Sequence, residues 1–283
     1  MTEHRATVSG RGRELIPLYI PAFLVAGALR CLDALQTSHV DGRLETGWVD
    51  ASWAPRYWGR RYLSTRYLKG NGLELGPLHR PLMVSSRARV RYVDRLPVEA
   101  LRAQYPELAD HALVPLDVID DGERLNMIGD ASLDFIIANH FLEHCEDPIG
   151  AMLNHLRKLR PGGVLYYAIP LREHTFDRSR ELTSLTHLMN DYADGGAASR
   201  LGHFEDWVSH VEGEHNATKG RERARQLLDG GYSIHFHVWN RDTFLELIEA
   251  VRGMAEVPFR IEYALNWPLF RSEFVAVLRR ATP

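Results

Sequence analysis

The run LDFIIANH at residues 133–140 constrains the chain more than any other stretch. Apart from Asp134 it is apolar through Ala138, without alternation of apolar and polar positions, and Asp130 supplies a turn residue before it. A strand with apolar side chains on both faces must be covered on both. In water-exposed proteins that is the setting of a parallel strand between two helical layers. From about residue 70 onward, short β-rich runs alternate with helical patterns, which is the signature of a doubly wound, mostly parallel α/β sheet.

Seven strands are expected. GLEL (72–75), VRYVD (90–94) and ALVPLD (112–117) are the first three, the 133–140 run is the fourth and VLYYAIP (164–170) the fifth. FRIEYALNW and EFVAVLRR, at 259–267 and 273–280, form a final pair. Between the fourth and fifth strands, AMLNHLRKLRPGG places Met152, Leu153, Leu156 and Leu159 on one helical stripe, closed by Pro161 and Gly162. Residues 241–253 read as a second amphipathic helix. The resulting domain is 70–283, with 1–69 as a helical lead-in packed on it and 171–238 as an insertion.

Composition narrows the function. A net charge of -3 over 283 residues argues against a nucleic-acid binder, which needs a basic face. The Arg-rich piece at 54–70 is the local exception, and an anionic substrate beside it explains it as well. Cys31 and Cys145 form no CxxC pattern, so a reduced, cytoplasmic setting is expected rather than a disulfide framework. Residues 15–29 are uncharged but contain two prolines and fall short of the roughly 20 residues that span a bilayer. A buried or dimer-facing helix is expected there, and with it a homodimer.

In an open α/β sheet, ligands bind beyond the carboxyl ends of the strands, beside the point where strand order reverses. Glu74 and Gly76 leave the first strand there, and Asp94 follows 18 residues after Gly76 at the end of the second, where a carboxylate can accept both ribose hydroxyls. The glycines that a dinucleotide's pyrophosphate requires are replaced by Leu78 and Arg80. A cofactor with ribose and adenine but no phosphate has no such need. S-adenosylmethionine fits, and NADH does not.

LELGPLHRPL, VRYVD, DVIDDGERL and the long run from Asp130 to Pro170 resemble class I S-adenosylmethionine-dependent methyltransferases. LEH after the fourth strand and LRPGGVLYYAIP into the fifth are the most specific pieces. The resemblance implies that Glu74, Gly76 and Pro77 line the methionyl moiety and that Asp94 holds the ribose. It also implies that Asp117 and Ile119 frame the adenine and that Asn139 touches the cofactor. The departure is Leu78, where the family usually carries a second glycine.

Strand-end loops after residue 139 bring His140, His144, Glu173, His174, Asp177, His235 and His237 toward one end of the sheet. Their order, in REHTFDRSRELTSL and HFHVW, resembles bacterial polysaccharide-associated sugar O-methyltransferases. That resemblance implies a sugar hydroxyl as acceptor, on a mannoside or an oligosaccharide. His144 is then the expected general base. Glu173, His174 and His237 are the expected holders of a magnesium ion or of acceptor hydroxyls, and their mixed donors equally suit a softer metal. Trp207, Trp239, Tyr232 and Trp267 offer flat faces for sugar rings. Methylation of another small acceptor, or a silent cofactor-binding subunit, are the readings that compete.

Overall fold

The computed structural model describes residues 56–266 and 273–282. Most of the lead-in, with the 15–29 segment and Cys31, lies outside the described residues, as does Trp267. Helix α1 (Arg56–Tyr67) comes first, then β1 (Gly70–Leu75), β2 (Ala88–Asp94), α2 (Val98–Gln104) and β3 (Val118–Ile119). The chain continues through β4 (Leu133–Asn139), α3 (Pro148–Lys158) and β5 (Leu159–Pro170). Helices α4 (Leu185–Asp194), α5 (Arg200–His210) and α6 (Ala217–Asp229) follow, then α7 (Arg241–Met254), β6 (Phe259–Asn266) and β7 (Glu273–Arg280).

Among the described residues seven strands form one sheet, ordered β3-β2-β1-β4-β5-β7-β6. β1 pairs in parallel with β2 and β4, and β5 in parallel with β4, whereas β7 is antiparallel to both β5 and β6. This is the expected Rossmann-like methyltransferase sheet. Strand order reverses between β1 and β4, so ligands should meet the chain just past Leu75 and Asn139.

Both faces of the central strands are buried. Leu73, Leu75, Ile136, Ala138, Leu165 and Tyr167 pack with α3 and α7 on one face. Phe135, Ile137, Tyr166, Ala168, Val275 and Val277 pack with Leu63 of α1 on the other. Capping fixes where the helices start. Asp147 accepts the Gly150 amide at 2.8 Å ahead of Pro148 in α3, and Asn240 and Thr243 form a reciprocal capping box on α7.

Two boundaries differ from the sequence reading. The third strand is not 112–117 but the two residues of β3, because Pro115 has no amide proton and ladder pairing to β2 starts only at Val93↔Val118. Pro161 and Gly162 do not close a helix. α3 ends at Lys158, Leu159 already pairs with Leu133, and the register shift before Phe135↔Val164 accommodates Gly162 at φ 80°. The insertion carries α4, α5 and α6, with a small core of its own made by Phe204, Trp207, Val208, Ala224, Leu227, Ile234 and Phe236. Among the described residues no helix is long and apolar enough to cross a membrane.

Candidate active site

The turn after β1 is held by its own strand. The Glu74 carboxylate, buried, accepts the Leu82 amide through both oxygens at 2.8 and 3.0 Å, closing the loop back on β1. Burial pushes its pKa up to about 7, against the opposing pull of Leu82, Asn139 and Arg60. Glu74 therefore organises the loop. Gly76 takes φ 57°, and a Cβ there would meet nothing nearer than Phe141 at 4.0 Å, so the space above it is open. Leu78 adopts φ 47°, the left-handed conformation that glycine adopts without cost and that costs other residues about 1–2 kcal/mol.

The loop thus keeps the glycine-type backbone without the glycine. Leu78→Gly should accordingly be more stable than Leu78→Ala, by about 1 kcal/mol, because alanine keeps the strain and loses the side-chain packing. Denaturant midpoints in the reverse order would show that residue 78 is not left-handed.

Asn139 ends β4 one residue past Ala138, the register partner of Leu75. Both of its side-chain amide atoms are buried without a hydrogen bond of ordinary geometry. Beyond the contact with Glu74 these groups are left short of partners, which costs free energy, and the methionyl tail of S-adenosylmethionine carries matching donors and acceptors. Asp94 ends β2 opposite Ile119. Its Oδ1 accepts the Arg95 amide at 2.7 Å, and burial raises its pKa against the amides of Arg95 and Leu96. Ile119 is 48% exposed beside it, an apolar surface suited to a flat base. These residues fit the cofactor. Asp117 precedes β3, and its carboxylate accepts the Tyr92 amide at 2.8 Å, so it serves the β2–β3 edge. Asp94→Ala should lower S-adenosylmethionine affinity about tenfold to a hundredfold, the equivalent of about 1.5–3 kcal/mol. Unchanged calorimetric affinity would remove Asp94 from the ribose position.

Past β4 the polar groups converge. His140 has φ 50°, a second strained non-glycine residue at this edge. Its Nδ1 lies 3.4 Å from Glu143, and its Nε2 3.2 Å from Glu273, which also binds Arg60. Burial opposes the imidazolium, but the two carboxylates outweigh it and raise the pKa to about 9. Glu143 is fully buried, and neither carboxylate oxygen has a hydrogen bond of ordinary geometry. Its carbonyl receives the amides of Phe236 at 2.7 Å and His237 at 3.3 Å, which lays the 234–237 segment across the turn.

That crossing positions His144. Its Nδ1 is 2.8 Å from the Ile234 carbonyl, an atom that can only accept, so Nδ1 carries the proton and Nε2 the lone pair. Burial, then His235, lowers its pKa to about 4. The residue as a whole is half-buried. His235 is oriented by Asp177, 2.7 Å from its Nδ1, and Asp177 by Arg180 at 2.8 Å. Ring nitrogens of His144 and His235 and a carboxylate oxygen of Glu143 lie within 4.8 Å of one another.

The expected metal trio does not assemble. Glu173 and His174 sit exposed on a short 3-10 turn after β5, whereas the buried His237 joins His187, Asp191 and His203. Among the described residues the donor atoms of Glu173 and His174 do not cluster with those of His237. The aromatic expectation changes as well. Trp239 is 1% exposed and belongs to the main core, and Trp207 is buried beneath Phe176. Tyr232 is exposed, and Phe176, which sequence reading passed over, is 52% exposed and packs on His235 with ring centroids 4.7 Å apart. Glu143, Glu273 and Arg180 were also missed as parts of one site, whereas sequence reading places Asp177 there with His235. The visible signal was Glu143 within LEH.

A doubly wound sheet with an open glycine turn, a ribose-type acid and a polar pocket past β4 defines a class I S-adenosylmethionine-dependent methyltransferase. The chain matches the methyltransferase-domain family over residues 54–251 and belongs to it. No curated protein matches it in sequence. Among solved structures, an S-adenosylmethionine-dependent methyltransferase from Aquifex aeolicus is 11% identical, covering 76% of this chain and 85% of that one, with a TM-score of 0.41. One from Methanosarcina mazei is 18% identical over 77% and 96%, TM-score 0.40. The CurJ carbon methyltransferase is 12% identical over 76% of this chain, which spans 50% of that structure's length, TM-score 0.40.

Proposed function

We propose that the chain methylates a hydroxyl of a sugar, a mannoside unit of a polysaccharide precursor, with His144 as general base. The observation that carries this reading is the neutral His144 ring whose Nδ1 is committed to Ile234, leaving the Nε2 lone pair for a proton. Gly76, Pro77 and Asn139 would hold the methionyl part of S-adenosylmethionine, Asp94 the ribose and Ile119 the adenine. The bound cofactor supplies an electrophilic methyl group.

The remaining work belongs to the chain. The acceptor hydroxyl hydrogen-bonds to His144 Nε2, which takes the proton as the oxygen is alkylated. The buried Glu143 carboxylate, within 4.8 Å, stabilises the imidazolium so formed. Positioning the hydroxyl in line with the methyl group supplies much of the rest. The exposed rings of Phe176 and Tyr232 support a carbohydrate acceptor, since they offer apolar faces, that of Phe176 against His235, which in turn packs on His144.

A base that stays neutral far into acid has a kinetic signature. The acid limb of kcat/KM should fall well below pH 6.5, the ordinary histidine value, because the His144 pKa is lowered to about 4. A limb at about 6.5 or above would mean that an unperturbed histidine, not His144, controls the reaction.

A further inference from the structure

We propose that His187, Asp191, His203 and His237 bind one transition-metal ion of the zinc class, which joins α4, whose Leu188 packs in the main core, to the small core of the insertion. No step of the methyl transfer described above uses these residues. Local structure brings them together from three elements. On α4, His187 and Asp191 are four residues apart and share a helix face. His203 comes from α5, and His237 from the extended segment before α7. Asp191, His203 and His237 are buried, and the His187 side chain is 39% exposed.

The spacing is that of a coordination shell. Asp191 Oδ2 lies 3.0 Å from His187 Nε2 and 3.7 Å from the Nε2 atoms of both His203 and His237. The Nε2 atoms of His187 and His203 face each other at 3.1 Å. All four donor atoms fall within 4.8 Å of one another. Tetrahedral Zn²⁺ with bonds of about 2.0–2.1 Å separates its ligand atoms by roughly 3.3 Å, the middle of the observed contacts.

Hydrogen bonding alone leaves this group poorly satisfied. Asp191 Oδ2 is ion-paired with His187 at 3.0 Å but has no hydrogen bond of ordinary geometry to the three imidazoles around it, whereas its Oδ1 receives the Ser199 hydroxyl at 2.6 Å. One oxygen is thus fixed by a neighbour and the other is left for a cation, the usual arrangement of a monodentate carboxylate ligand. The competing use of His237 Nε2 is the Glu146 carbonyl at 3.4 Å, long for a hydrogen bond. Three imidazoles and one carboxylate suit zinc or its softer neighbours. Magnesium and calcium prefer all-oxygen shells of six or more. Four protein ligands leave no open position, so the centre is structural rather than catalytic.

Its place in the packing gives it a purpose. Leu188, one residue past His187, belongs to the main core, whereas Phe204 beside His203 and Phe236 beside His237 belong to the small core of the insertion. An ion here cross-links two hydrophobic cores.

The test is elemental analysis and calorimetry on the full-length protein, purified without a polyhistidine tag. About one zinc-class ion per chain is expected, with Co²⁺ replacement giving the strong visible bands of a tetrahedral site. Stripping the ion with a strong chelator should lower Tm, and Zn²⁺ should restore it. Asp191→Ala should lose the ion, and His203→Gln, which keeps a bulky polar side chain, supplies the same readout if Asp191→Ala does not fold. Wild-type protein that takes up neither Zn²⁺ nor Co²⁺ would overturn the proposal. So would full occupancy in His203→Gln, or an ion lost from Glu143→Gln but kept in His203→Gln, which would place it at the other cluster.

Discussion

His144→Ala is expected to lower turnover by about 100-fold or more, while S-adenosylmethionine affinity stays within a few-fold of wild type. The size follows from what the ring does in the proposed reaction. A sugar hydroxyl is a poor acid, so losing the acceptor for its proton leaves only positioning, and general-base catalysis typically contributes 10²–10⁴-fold. His144→Gln separates chemistry from architecture. Glutamine can still donate to the Ile234 carbonyl, so the 234–237 segment should stay in place while the base is lost. Near-normal turnover in either variant would make His144 a packing residue and shift the role of base to His235, since His237 is assigned to the metal cluster. Cofactor affinity measured in parallel guards against a disturbed loop that mimics a catalytic defect.

The largest stability effect is expected at Arg180. Its side chain is 2% exposed and donates to Asp177 at 2.8 Å, Asp206 at 2.6 Å and the His235 carbonyl at 2.8 Å. Arg180→Met leaves Asp177 as a buried carboxylate with only His235 to balance it. Breaking a buried pair from one side costs about 3–5 kcal/mol, so thermal or denaturant unfolding should shift by that amount. The Asp177→Asn, Arg180→Met double variant should recover part of it, because no uncompensated charge then remains. A loss below about 1 kcal/mol in Arg180→Met would place this network at the surface in energetic terms.

The sheet was legible because its central strands are apolar on both faces. Residues 133–139 and 164–170 need no long-range information to be read as covered strands. β3 was misplaced because only two residues pair there, too few to leave a period, and Pro115 interrupts the apolar run that looked like the strand. That Asp94 ends the second strand could be read from its spacing to Gly76, since a strand, a turn and the next strand fix that interval. Glu74 was read as a partner for the cofactor's cationic end, and the fold adds a role that local patterns do not show, the hold of both its oxygens on the Leu82 amide.

The pocket past β4 was only half visible. LEH drew attention to His144, yet the burial of Glu143 depends on the 234–237 segment crossing it, about 90 residues later in the chain. Glu273 reaches His140 only because β7 inserts antiparallel beside β5. His237 was grouped with Glu173 and His174, whereas the side chains clustered around it are His187, Asp191 and His203. Its neighbours lie on α4 and α5, and the HxxxD spacing of His187 and Asp191 on one helix face was the available clue. How helices of an insertion dock is set by tertiary packing, which local patterns do not encode.

The central claim is methyl transfer from S-adenosylmethionine to a sugar hydroxyl, and product mapping tests it most directly. The protein is incubated with S-adenosylmethionine carrying a ¹³C-labelled methyl group and with a panel of mannosides and oligomannosides, alongside phenols and carboxylic acids. The products are then read by NMR. A single new ¹³C O-methyl resonance, correlated to one ring position of a mannoside and absent with His144→Gln, is the predicted result. Label appearing only on a phenol or a carboxylate, or no transfer to any acceptor by protein that binds the cofactor, would contradict it.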